Sequence, residues 1–166
     1  MPAVISDASV LICLGAVGQV ELLRKFYTEV LVPPAVWAEV TSAGTRPGAA
    51  EAQAARTDGW LQLRAPDSTA LLAQLHRTLD AGEAEAIALA TELPGSLLLL
   101  DDADGRETAL HLRRDFTGTV GVLLRAKREG KLPALKPVLD RLIQQHSFRL
   151  SRSLYEAVLR QVDEAP

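Results

Sequence analysis

The sequence predicts an α/β domain of three layers, in which helices cover both faces of a mainly parallel central sheet. Short apolar runs, typical of buried strands, alternate with segments of helical periodicity along the chain. The length of 166 residues, with 48% hydrophobic and 23% charged, suits one domain with a substantial core. Such an alternation favours a layered fold with a parallel sheet. We therefore expect a single domain over residues 1–166.

The first part of the chain is predicted to contain three strands. The apolar runs Ala3–Ser6 and Val30–Val32 indicate buried strands, whereas the alternating pattern of Trp60–Leu63 indicates an edge strand. Helices are predicted over Ala8–Ala16 and Val20–Phe26, and a third begins at the Pro33-Pro34 pair. A turn-rich stretch at 42–50 follows, then a helix that ends at about Arg56, and a further helix over Thr69–Thr78.

The second part begins with the strongest predicted helix, Glu83–Glu92, which Asp80 can cap and Pro94-Gly95 ends. Leu97–Leu100 is predicted to be a buried strand. Further helices are predicted over 105–114, over Thr119–Glu129 with Gly130 past its end, over Pro133–Ile143, and from a capping box at Ser153–Glu156 onwards. We expect residues 130–166 to form a helical extension of the domain.

Acidic residues follow two of the predicted strands. Asp7 comes after the first strand, and Asp101-Asp102 follow Leu97–Leu100. Sites in open parallel sheets form outside the carboxyl ends of the strands, where these side chains are expected to meet. Each acid could equally cap the helix that follows it, as could Ser9 or Asp104.

Two more acids lie on the apolar faces of predicted helices. Glu83 shares a helical stripe with Ala86, Ile87 and Ala90, which directs it towards the sheet. The helical stripe that starts at Glu85 ends on another charged residue and is therefore less apolar. We expect Glu85 to face solvent. Glu39 similarly adjoins the apolar Val36 and Val40, because the three share one helix face.

Converging carboxylates need a counter-charge, and Mg²⁺ binds such oxygen ligands together with water and phosphate. This chemistry suits phosphodiester hydrolysis. The charge distribution suits a protein that acts on a phosphate backbone. Residues 1–104 are acidic, with 6 Lys/Arg and 14 Asp/Glu, whereas residues 105–166 are basic, with 12 Lys/Arg and 7 Asp/Glu. The basic part would supply phosphate contacts for a nucleic-acid backbone, and Arg106, just after the acids, is the best single candidate for such a contact.

Four segments in this order resemble the PIN-domain superfamily. They are VISDAS (Val4–Ser9), VPPAVWAEV (Val32–Val40), GEAEAIALA (Gly82–Ala90) and LLLLDD (Leu97–Asp102). The segment TVGVL from Thr119 is also similar to the late part of such domains, and within the superfamily the chain looks like the VapC-type nucleases. The resemblance covers residues 3–125.

The resemblance implies an α/β/α sandwich, hydrolysis of RNA with Mg²⁺ or Mn²⁺, a homodimer, and control of a toxin by an antitoxin protein. It implies that Asp7, Glu39, Glu83 and Asp101 are the catalytic metal ligands, with Asp102 as the alternative to Asp101, and that Ser9 supports Asp7. Glu83 stands where the family usually has Asp, and Leu100 where it usually has Thr.

Two functional hypotheses remain open from the sequence. One is a metal-dependent endoribonuclease, the toxin of a toxin–antitoxin pair. The other is a PIN-like module with weak or no catalysis that binds a partner protein or RNA. In either case we expect a cytoplasmic protein without a membrane segment, because the N-terminus has no basic leader and apolar runs are short.

Overall fold

A five-stranded sheet, in which each strand runs parallel to its neighbours, forms the centre of the molecule. The computed structural model describes residues 2–42 and 46–166, so that residues 43–45 of the predicted turn-rich stretch lie outside the described residues. The strands are β1 (Val4–Ser6), β2 (Val30–Val32), β3 (Leu61–Leu63), β4 (Leu97–Leu99) and β5 (Asp115–Thr117). Their order in the sheet is β3-β2-β1-β4-β5.

Ten helices surround the sheet in the described parts of the chain, which confirms the predicted α/β fold class. They are α1 (Ala8–Ala16), α2 (Glu21–Phe26), α3 (Pro34–Thr41), α4 (Ala49–Thr57), α5 (Thr69–Leu75), α6 (Ala81–Glu92), α7 (Ala103–His111), α8 (Thr119–Arg128), α9 (Lys136–Gln145) and α10 (Arg152–Arg160). Within residues 2–42 and 46–166, no helix has the length and apolar character needed to cross a bilayer.

The alternation of side chains along the strands divides the core into two layers. Ile5 lies in register with Leu31 and Leu98, and these three pack with α6 and with residues of α5 and α7. Val4 lies in register with Val30 on the opposite face, which packs against helices that include α1, α8, α9 and α10. Helices therefore cover both faces of the sheet.

Two details differ from the sequence-based expectations. β5 was not predicted, because Asp-Phe-Thr is too short and polar to show a strand pattern, yet it pairs with β4 along its whole length. The last helix is capped by Ser151, whose hydroxyl accepts a hydrogen bond from the Leu154 N–H at 3.2 Å, and not by Ser153. Ser153 lies inside the first turn, where its hydroxyl contacts that of Ser151.

The C-terminal helices are joined by the carboxylate of Glu164. Its two oxygens accept hydrogen bonds from the Leu135 and Lys136 N–H groups, each at 2.7 Å, at the start of α9. Lys127 of α8 lies 3.6 Å from the same carboxylate. Burial acts to raise the pKa of Glu164, but the two N–H donors and Lys127 hold this pKa below its ordinary value. Glu164 thus links the chain after α10 to both α8 and α9.

Replacing Glu164 with alanine should lower the melting temperature, because two charge-assisted hydrogen bonds worth about 1–3 kcal/mol together are lost. For a chain of this size the decrease should be about 3–8 °C. Thermal melts at pH 7 measure it. Because the pKa is depressed, the effect should be full above the unfolded-state pKa and disappear as the pH falls through the folded-state pKa.

The matched control is Glu156→Ala, since Glu156 pairs with Arg152, whose side chain is 85% exposed. Such a surface pair contributes about 0–1 kcal/mol, so that the control should melt close to the wild type. Equal melting temperatures for both variants would contradict the linking role of Glu164.

Candidate active site

The proposed ligands lie at the edge of the sheet formed by the carboxyl ends of the strands. β1 and β4 are neighbours, with Ser6 in register with Leu99, and the Asp7 N–H donates to the Leu99 carbonyl at 3.0 Å. Asp7 and Asp101 therefore leave the sheet side by side. Because α6 precedes the parallel strand β4, its amino end also reaches this edge and brings Glu83 there.

Asp7 is the most deeply buried of these acids, with 2% of its surface exposed. Its Oδ1 accepts a hydrogen bond from the Val10 N–H at 3.0 Å and so caps α1, whereas its Oδ2 has no hydrogen-bond partner among the described residues. The Ser9 hydroxyl, expected to support Asp7, therefore does not hydrogen-bond to Oδ2. Burial raises the pKa of Asp7 well above its ordinary value; the charges of Asp101 and Glu83 raise it further, against the opposing Val10 N–H.

The two adjacent acids after β4 have different partners. Asp101 accepts hydrogen bonds from the N–H of Thr119 at 2.8 Å and from its hydroxyl at 2.6 Å, one at each oxygen. Asp102 caps α7, because its Oδ2 accepts from the Asp104 N–H at 2.9 Å and the Gly105 N–H at 3.0 Å. Asp101 is thus the acid beside Asp7, and the capping alternative applies to Asp102.

Glu83 is close enough to several acids for their charges to act on one another: its charge acts on Asp7, and those of Asp80 and Asp102 act on Glu83. Burial and the negative charges of Asp80 and Asp102 raise the pKa of Glu83 to about 7. Asp80 was expected only as a helix cap, which it is, since its Oδ1 accepts from the Glu83 N–H at 2.9 Å. Its charge makes Asp80 a member of the acidic group that the sequence reasoning missed, although its position three residues before Glu83 could have indicated it.

Glu39 joins the group from the side of Asp80. A Cβ atom on Gly82 would lie 3.5 Å from the Glu39 Oε2 and 3.7 Å from the Asp80 Oδ1, which places both carboxylates beside this glycine. Burial and the charge of Asp80 raise the pKa of Glu39, and Arg46 opposes them. The acidic side chains thus form a row, which runs from Asp101 and Asp7 through Glu83 to Asp80 and Glu39.

Glu85 does not behave as a solvent-facing residue. Its Oε2 accepts a hydrogen bond from the Ala35 N–H at 2.8 Å, and the side chain is partly buried. The expectation was wrong because the helical pattern of α6 contains no information about the helix packed beside it. Here that neighbour is the start of α3, whose N–H groups need acceptors.

A positive charge accompanies Asp101. The Nε of Arg106 donates to the Leu100 carbonyl at 2.8 Å, and its Nη2 lies 3.7 Å from the Asp101 Oδ1. The guanidinium also packs over the Phe116 ring at 5.3 Å. A Cβ atom at Gly118 would overlap both Arg106 Nη2 and Asp101 Oδ1, so that this arrangement requires glycine at position 118.

The donor chemistry of the site fits a hard divalent cation, because it consists of carboxylate oxygens and includes a buried oxygen of Asp7 without a partner. The acidic side chains lie farther apart than the ligands of a bound metal ion would. Among residues 2–42 and 46–166, no group of three or more His, Cys, Asp or Glu side chains is close enough to hold a metal ion. Binding would therefore require these side chains to move closer together.

Cys13 of α1 lies near the site but is a poor nucleophile. Burial raises the pKa of its thiol to about 12, with further contributions from the charges of Asp101 and Asp7. The thiol is therefore protonated at neutral pH, and thiolate chemistry requires the deprotonated form.

Many cations of the basic C-terminal part are paired within the chain. The partners are Arg125 and Lys131 with Glu129, Lys127 with Glu164, Lys136 with Asp140, and Arg152 with Glu156. The excess of basic residues in this part therefore overstates the positive charge that is free to meet a phosphate backbone.

Glu83→Gln should stabilise the protein above pH 7, because it removes a carboxylate that burial and neighbouring charges disfavour. Between the unfolded-state pKa near 4.5 and the folded-state pKa near 7, the wild-type protein should lose stability as the pH rises. Allowing for solvent screening of this half-buried group, the gain should be about 1 kcal/mol, or about 2–4 °C. Melts from pH 4 to pH 8 measure it.

Glu51→Gln, at an exposed position of α4, serves as the control and should melt close to the wild type. A Glu83→Gln variant with no pH-dependent gain would contradict the close approach of Glu83 to Asp80 and Asp102.

The comparisons with known proteins agree with this geometry. A family model described as a PIN domain matches residues 3–164. No curated protein matches the chain. PIN domains are generally nucleases and typically use divalent metal ions, which suits the acidic edge of the sheet. Since the match includes nearly the whole sequence, the chain belongs to the PIN-domain family and has a nuclease-type fold.

Proposed function

We propose that this protein is a metal-dependent endoribonuclease that hydrolyses phosphodiester bonds of RNA at the acidic edge of the sheet. The buried Oδ2 of Asp7 is the observation that carries the proposal. A carboxylate oxygen without a partner is costly in the interior unless it binds a proton or a cation. The charges of two further acids, Asp101 and Glu83, act on the same carboxylate.

Asp7, Glu83 and Asp101 would hold Mg²⁺ or Mn²⁺, and Glu39 would contact it from α3. When bound, the metal would polarise the phosphate and lower the pKa of water. Thr119 donates to both oxygens of Asp101 and so fixes the position of that carboxylate. Asp102 caps α7 through its Oδ2, whereas the charge of Asp101 acts on Asp7, so that we favour Asp101 as the ligand of the two.

Arg106 is suited to contact a phosphate of the RNA. Its Nε is used by the Leu100 carbonyl, which leaves the terminal nitrogens of a fixed guanidinium beside Asp101. A cation held in place loses little freedom when it binds, and guanidinium geometry matches phosphate oxygens. In the metal-free protein the raised pKa of Glu83 allows this residue to hold a proton near neutral pH, which it would release on binding the metal.

Asp7→Asn tests the proposal, because asparagine keeps an oxygen for the Val10 N–H and removes the charge. Cleavage of a mixed RNA panel in Mn²⁺ should fall on the order of 100-fold or more. The melt without metal should be unchanged or higher, and the rise in melting temperature that Mn²⁺ causes in the wild type should be lost.

Asp58→Asn is the control, since the Asp58 side chain is 55% exposed and pairs with Arg24. It should cleave RNA and respond to Mn²⁺ like the wild type. Failure of the wild-type chain to cleave with either Mg²⁺ or Mn²⁺ would reject the enzymatic proposal.

The second candidate is a PIN-like module that binds RNA or a protein without cleavage. The arrangement of Arg106 favours it, because this cation already partly neutralises Asp101 and Thr119 already uses both of its oxygens. RNA binding that is retained by Asp7→Asn, together with no cleavage by the wild type, would support this function over hydrolysis.

We also propose that the protein is a VapC-type toxin that acts as a homodimer in the cytoplasm and is restrained by an antitoxin protein. The order of the four acidic segments supports this proposal. Induced expression of the wild type should arrest growth, whereas Asp7→Asn should not. Co-expression of the product of the adjacent reading frame should relieve the arrest, and light scattering of the purified protein should give twice the chain mass of 17.9 kDa.

A further inference from the structure

We infer that Glu85 is a positioning residue that anchors α3 to α6 and thereby sets Glu39 beside Gly82 and Asp80 at the amino end of α6. The inference rests on the proposed nuclease function for its catalytic consequence. Glu85 does not belong to the row of acidic side chains described above, since its carboxylate accepts a backbone hydrogen bond from Ala35.

The start of α3 lacks a cap of its own. Its N-cap residue is Pro33, which has no side-chain acceptor, and Pro34 at the first helical position has no N–H. Ala35 therefore offers the first free N–H of the helix, and an uncapped N–H in a partly buried place needs an acceptor. Glu85 of α6 supplies it at 2.8 Å.

Glu39 lies one helical turn further along the same face of α3. Residues four apart on a helix lie above one another, so that Ala35 and Glu39 both face α6. On α6, Glu85 meets Ala35, while Gly82, three residues earlier, lies beside Glu39 and touches Val36.

These two contacts fix α3 at two points along α6. Gly82 permits close approach, because its missing Cβ would lie 3.2 Å from the Val36 side chain and 3.5 Å from the Glu39 Oε2. Glu85 supplies the directional bond. Val36 and Val40 keep α3 in the core, so that loss of the bond should loosen the start of α3 and leave Glu39 fixed less closely beside Gly82.

Amide exchange, Mn²⁺ titrations of RNA cleavage and a double-mutant cycle test this inference. In Glu85→Ala, exchange at the start of α3 should become faster, and the Mn²⁺ concentration for half-maximal cleavage should rise on the order of tenfold. Glu85→Gln keeps an acceptor oxygen and should stay within about threefold of the wild type. In a Glu39→Gln background, Glu85→Ala should cause a further change of less than about twofold, because both act through the same carboxylate.

Glu92→Ala is the matched control on the same helix. Glu92 also accepts backbone hydrogen bonds, from the Asp67 and Ser68 N–H groups at 2.8 Å, but it lies at the opposite end of α6 from Glu83. Its loss should lower the melting temperature without changing the Mn²⁺ dependence.

Unchanged exchange of α3 in Glu85→Ala would overturn the inference whether or not the protein cleaves RNA. An equal rise in the required Mn²⁺ concentration when Glu85→Ala is made in the wild-type and in the Glu39→Gln background would also overturn it, since the effect would then be general destabilisation. If the wild type cleaves no RNA, the nuclease proposal fails and with it the catalytic consequence, while the exchange result still decides whether Glu85 anchors α3.

Discussion

Repulsion between carboxylates at one edge of the sheet is the constraint on which the rest of the site depends. Parallel strands place their carboxyl ends together, so that Asp7 and Asp101 meet because β1 and β4 are neighbours. Like charges at short range in a partly dry environment cost free energy, and burial of Asp7 adds to that cost. The raised pKa values of Asp7, Glu83 and Glu39 express this cost.

The fold limits the repulsion through groups supplied by neighbouring elements. Helix N–H groups bind Asp7, Asp102 and Asp80, and Thr119 of α8 binds Asp101. Positive ends of helices favour negative charge, which makes these caps suitable partners. Arg106 adds the one full positive charge within salt-bridge distance of the group in the described chain. The acids are thus partly compensated, and Asp7 Oδ2 remains for a cation or proton.

The sequence predicts those parts of the structure that follow from local pattern. Apolar runs located β1, β2 and β4, and the acids after β1 and β4 indicated the site edge. β5 escaped prediction because its three residues form a strand only by pairing with β4. Contacts across elements were equally hidden: neither the Glu85 bond to Ala35 nor the Thr119 bond to Asp101 has a local signal, since 50 and 18 residues separate the partners.

Gly118 has a consequence for how this protein tolerates mutation. Even the single methyl group of alanine would enter the space that Arg106 and Asp101 share, so that the ion pair could not survive in its present form. The backbone at this position is extended and would accept any residue, since φ is −120°. In a saturation library selected for function, a side chain at position 118 should therefore be accepted only where Arg106 and Asp101 can move apart, for steric reasons that the backbone conformation alone would not reveal.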